Sequence, residues 1–103
     1  MPREAKLFER FKGSPARALA KMTGNIPPNW IKRARRARKS REQDLVTAMQ
    51  KVQRIRRERP NAKVTLKAAE AELKVLLKDW EVSYQKESFY NGLRILLDRS
   101  SAR

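Results

Sequence analysis

The sequence contains neither cysteine nor histidine. Without cysteine there is no disulfide framework and no thiolate metal site, and the redox state of the compartment leaves no mark on the chain. Without histidine the commonest acid/base catalyst and the commonest metal ligand are both missing. The eleven carboxylates are scattered along charged helical stretches and are not grouped beside glycine-rich or strand-turn motifs. The expectation is a protein that is not an enzyme and takes no cofactor, metal or small-molecule substrate. Aromatic residues make up only 7%, and much of the 40% hydrophobic fraction is alanine, which buries little area. A chain of 103 residues with that composition forms one domain at most, with a small core. No apolar run approaches the roughly 18 residues that span a bilayer, so no transmembrane segment is expected, and no apolar h-region follows the N-terminus. The first 22 residues are basic and partly amphipathic, as in a mitochondrial transit peptide, although Glu4 and Glu9 are unusual in one; an uncleaved internal address stays open.

What the chain has in excess is positive charge. Lysine and arginine total 26 against 11 acidic residues, a net charge of +15, with a pI near 11.2. Such a chain repels itself unless a polyanion supplies the counter-charge, and nucleic acid is the obvious one. The excess is N-terminal: residues 1–41 hold 13 basic and 2 acidic side chains, residues 42–63 hold 6 and 3, and residues 64–103 hold 7 and 6.

There is no internal repeat and no stretch of period-two alternation, so the sequence predicts an all-α chain. Pro2 to Lys12 suits a short helix carrying Leu7, Phe8 and Phe11, ended by Gly13. Ser14 and Pro15 are an N-cap and first-turn pair for a second short helix reaching about Met22. The stretch TGNIPPN, Thr23 to Asn29, then breaks the chain, and Asn29 is placed to cap a third helix. From Trp30 a helical pattern runs to Pro60, with Trp30, Ala34, Ala37, Leu45, Ala48, Val52 and Ile55 in a sector of about 80°. Pro60 and Asn61 make a turn, and Thr65 is a candidate cap for a further helix. There Leu66, Ala69, Leu73, Leu76, Leu77, Trp80 and Tyr84 form the best apolar face, suited to pack on the stripe that ends at Ile55. Beyond Tyr84 the phase changes: Phe89, Leu93, Leu96 and Leu97 fall on the opposite side of an unbroken helix. Either the chain bends near Ser83 to Ser88, or one helix shows two faces, the second inviting an external protein. The expected architecture is a basic arm with short helices and a proline loop (1–29), a long arginine-rich helix (30–59) and a near-neutral amphipathic helical region (60–103). Together they form an extended helical hairpin with little independent core.

The densest charge lies in KRARRARKSR, Lys32 to Arg41, where seven of ten residues are basic. Lys32, Arg33, Arg35, Arg36, Arg38, Lys39 and Arg41 project all round a helix, and Arg41 even falls on the sector of the apolar stripe. Like charges at these spacings weaken an isolated helix, and phosphates on several sides reverse that cost. A solvated basic helix or an import-like run is the plainer alternative. Trp30 either staples the proline loop through Ile26 and Ile31, the favoured reading, or stacks on a base. A second basic group, Lys51, Arg54, Arg56, Arg57 and Arg59, ends the same helix, where positive charge is favourable in itself. Leu73, Leu77, Trp80, Phe89, Leu93, Leu96 and Leu97 are the candidate protein-contact residues.

This arrangement resembles small ribosomal proteins in style. The stretch IPPNWIKRARR is also similar to the isoleucine-proline-x-tryptophan-isoleucine-basic segment of a very small large-subunit protein of cytosolic ribosomes, which lies near the exit tunnel. Arginine outnumbers lysine 15 to 11, and no universal ribosomal-protein signature is present, which together favour a lineage-specific mitochondrial ribosomal protein. The resemblance implies rRNA and neighbouring ribosomal proteins as partners, in the mitochondrial matrix or else on a cytosolic ribosome. Two other classes stay open: a DNA-binding protein, and a helical accessory or assembly subunit of a mitochondrial membrane complex.

Overall fold

The computed structural model describes residues 3–22 and 24–101, with the backbone alone for residues 3–5 and 101. Pro2 and Thr23, named above in the first helix and the proline loop, lie outside the described residues. The chain is all-α, with four helices: α1 (Arg3–Arg10), α2 (Pro15–Lys21), α3 (Pro28–Glu58) and α4 (Lys63–Ser101). The expected class and the packing of the two long helices as a hairpin are borne out.

The helix ends follow local chemistry. Past α1 the chain turns through Lys12 (φ 52°) and Gly13 (φ 73°). Gly13 N–H donates to Phe8 O at 3.0 Å and Lys12 N–H to Glu9 O at 3.2 Å, the paired bonds of a Schellman motif. The left-handed C′ position thus falls on Lys12, one residue before the glycine expected to end the helix. Ser14 Oγ accepts the Arg17 N–H at 3.4 Å, and Pro15 opens α2 as expected. The long helix starts at Pro28, one residue ahead of the expected Asn29 cap, and Trp30 N–H bonds to Pro27 O at 3.1 Å. Proline has no N–H to leave unsatisfied in a first turn. Arg59 to Ala62 make the hairpin turn, with Ala62 N–H bonded to Arg59 O at 3.1 Å. The next helix begins at Lys63, so Thr65 lies within its first turn and is not the cap. It then runs unbroken to Ser101, so no break in the helix falls at Ser83 to Ser88.

The helices divide into two compact units. One contains α1, α2, the part of α3 up to Arg36 and the part of α4 from Tyr84. Its core is Phe11, Ala18, Ile26, Ile31, Phe89, Tyr90, Leu93 and Leu97, ringed by Leu7, Phe8, Leu19, Met22, Trp30 and Ala34. Edge-to-face ring pairs join it, Phe8 with Phe89 at 5.5 Å and Trp30 with Tyr90 at 5.9 Å between centroids. The other unit is Ala37–Ser83, the turn end of the hairpin. Here Val52 and Ile55 of α3 pack on Ala69 of α4, flanked by Leu66 and Leu73, and Leu45 and Ala48 are buried as well. On α3 the positions between the two clusters that a continuous core would use carry Arg38 and Arg41, which accounts for the core being in two pieces.

One position in the first unit depends on having no side chain. A Cβ added to Gly92 would lie 3.0 Å from Pro15 Cγ and 3.5 Å from Pro15 Cβ. Glycine inside a helix costs about 1 kcal/mol relative to alanine, so its use there reflects the close approach of α2 to α4. Gly92→Leu is therefore expected to destabilise the protein by about 1–3 kcal/mol despite its better helix propensity. Denaturant unfolding followed by circular dichroism measures this, and a stabilised variant would refute the close-packing account.

Candidate nucleic-acid interface

The basic segment Lys32 to Arg41 is helical throughout. Arginine, alanine and lysine all have high helix propensity, and buried Ile31 before the segment and buried Leu45 after it fasten it to the protein. Lys32, Arg33, Arg36, Lys39 and Arg41 are exposed. Arg35 and Arg38 meet carboxylates. Arg35 Nε lies 3.6 Å from Glu87 Oε1 on α4. Arg38 Nη1 donates to Glu42 Oε2 at 3.2 Å, one turn on, and Arg38 is half-buried.

The second basic group divides in the same way. Lys51 Nζ is 3.7 Å from Glu72 Oε2, and Arg56 Nη2 is 3.7 Å from Glu70 Oε1, both across to α4. Arg54, Arg57 and Arg59 are exposed. Exposed pairs at these distances contribute only about 0–1 kcal/mol each, so their effect is to sort the cations by field more than to hold the fold. A cation beside a carboxylate presents little net charge to an outside anion, and one without a carboxylate presents all of it.

The carboxylates that perform this sorting, Glu70, Glu72 and Glu87, were not among the residues the sequence singled out. Their signal was present: in an antiparallel hairpin, residues equally far from the turn face each other, and Lys51 and Glu72 are nearly equidistant from Asn61.

Trp30 is half-buried and packs against the core cluster of its unit, together with buried Ile26 and Ile31. That is the stapling position. Of the protein-contact candidates, Phe89, Leu93 and Leu97 are interior: α1, α2 and the Ile26 to Ile31 segment cover them. The expectation that this face awaits an outside protein is corrected by that packing, since the short N-terminal helices supply the cover. Leu73, Trp80 and Leu96 are half-buried, and Leu77 is exposed. Tyr84, which the sequence placed on the packed face, is also exposed. The large apolar side chains of α4 exposed in the second unit are Val64, Val75, Leu77 and Val82, and the three valines share one side of the helix by phase.

Among the described residues no helix is long and apolar enough to cross a membrane, and no group of three acidic, histidine or cysteine residues is placed to hold a metal ion. No protein-family model matches this sequence, and no curated protein or solved structure matches it either.

Proposed function

We propose that this protein is a structural constituent of a ribosome, with the mitochondrial ribosome favoured, that neutralises and clamps folded rRNA through α3. The observation that carries this reading is the set of exposed cations Lys32, Arg33, Arg36, Lys39 and Arg41, which together span about half the circumference of one helix. A DNA-reading helix concentrates its contacts on one base-facing side. Charge distributed around a helix suits backbones that approach from several directions, as in a folded RNA. Docking on a neighbouring ribosomal protein then falls to the exposed valines of α4, Val64, Val75 and Val82, in place of the interior Phe89, Leu93 and Leu97.

Sedimentation of native lysates, mitochondrial and cytosolic, tests the proposal. The chain should migrate with a ribosomal subunit and be released to the top of the gradient by ribonuclease. Migration with membrane complexes, or a position that ribonuclease leaves unchanged, would reject it.

A further inference from the structure

Within the unit formed by Ala37–Ser83, the side of α3 turned away from α4 has a particular order of residues. Leu45, Ala48, Val52 and Ile55 face inward and are buried. On the opposite side, at helical spacing, lie Lys39, Gln43, Val46, Gln50, Arg54 and Arg57, all exposed. The cations are at the two ends, and the middle of the ridge, Gln43, Val46 and Gln50, carries no charge; residues 42–50 contain no lysine or arginine. From Lys39 to Arg54 the helix rises about 22 Å. The acidic residues of α3 in this unit are turned elsewhere. Glu42 accepts from Arg38, Asp44 lines a groove with Glu72 and Leu76 of α4, and Glu58 lines one with Thr65 of α4 and the cations Lys51, Arg54 and Arg59.

We infer that this ridge lies across the minor groove of double-helical RNA, with the terminal cations on the phosphate rows and Gln43 and Gln50 on the groove's 2′-hydroxyls. This rests on the rRNA reading above and specifies which form of RNA the ridge takes. A-form RNA has a wide, shallow minor groove that displays 2′-hydroxyls and base edges between two phosphate rows, and a major groove too deep and narrow to admit side chains. A glutamine amide both donates and accepts, as a 2′-hydroxyl does, so the uncharged middle matches the groove floor and the basic ends match its rims. B-DNA carries no 2′-hydroxyl in either groove. Its minor groove, about 6 Å wide, is too narrow for a helix that is about 10–12 Å across with its side chains, and its major groove, which admits a helix, displays base edges in place of hydroxyls. Single-stranded RNA lacks the paired phosphate rows, and the ridge has no aromatic side chain on which its bases would stack. Val46 adds an apolar contact to the shallow floor.

The experiment uses the full chain, an RNA duplex of about 20 base pairs, the DNA duplex and the single-stranded RNA of the same sequence, and an rRNA fragment, each across a salt series. The protein should bind the RNA duplex at least about ten-fold more tightly than either of the other two oligonucleotides at equal salt. The double variant Gln43→Ala, Gln50→Ala should bring the RNA-to-DNA preference below about three-fold while leaving the salt slope unchanged. Arg54→Gln with Arg57→Gln should instead flatten the slope by about two and keep the preference. All four positions are exposed, and circular dichroism checks that the variants fold. Equal binding of RNA and DNA duplexes, preference for the single strand, or a glutamine variant that keeps full preference would each overturn the inference. If the rRNA fragment binds and the duplex preference is absent, the inference alone fails. If no RNA binds, the ribosomal reading fails with it.

Discussion

Leu93→Ala is expected to cost about 2–5 kcal/mol of folding free energy, the range for emptying a closed core site. Leu93 has no exposed surface and sits with Phe89, which is 1% exposed, at the centre of the larger core. The loss combines the removed apolar area with the cavity left among neighbours that relax only in part. Because small domains are stable by only about 5–15 kcal/mol, the variant should be partly unfolded or melt far below the parent. Leu77→Ala is the matched comparison: Leu77 is 42% exposed, and its truncation should cost less than about 1 kcal/mol. Urea unfolding of both variants by circular dichroism measures the difference. Equal losses would mean that the interior face of α4 has been wrongly assigned.

The two leucines also show how much of the fold the sequence makes legible. Periodicity located both long helices, the turn at Pro60 and Asn61, and the pairing of Val52 and Ile55 with Leu66, Ala69 and Leu73. These depend on local spacing that a single chain displays. It also detected that Phe89, Leu93 and Leu97 change phase relative to the residues before Tyr84. The cover over that second face was not legible, because each short N-terminal helix looks too small to supply a core. Phe8 from the first, Phe11 just past its end and Ala18 from the second do so jointly, by converging on Phe89, Leu93 and their neighbours. Convergence of elements far apart in the chain has no periodic signature. Leu77 was placed on the packed face because it lies next to Leu76 and Leu73 on a helical wheel. A helix buries only the sector its neighbour reaches, and Leu77 falls outside it.

The same distinction applies to charge. The sequence marks thirteen positions for RNA, twelve of them cationic, and their composition alone treats the cations as equivalent. The hairpin does not, because α4 brings Glu87 to Arg35, Glu72 to Lys51 and Glu70 to Arg56. Arginine-rich helices thus contain a subset whose field is cancelled within the protein, and only the folded register reveals which.

That subset gives the second large effect. Replacing Lys32, Arg36 and Lys39 by Gln should weaken binding to unrelated structured RNAs to a similar degree. It should also flatten the dependence of log affinity on log salt by about two to three, at roughly 0.7–0.9 for each phosphate no longer neutralised. A comparison triple, Arg35, Lys51 and Arg56 to Gln, removes the same formal charge from positions that carboxylates already neutralise. Its slope should change by less than about one, because few condensed counterions are displaced at those sites in the parent complex. Binding of parent and both triples across one salt series separates three cases. A large change for the first triple and a small one for the second supports α3 as the phosphate clamp, sorted by its partner helix. Equal changes would mean that pairing with α4 does not sort the cations. An unchanged slope in the first triple would make KRARRARKSR a solvated face, because a cation that touches no phosphate releases no counterion when RNA binds.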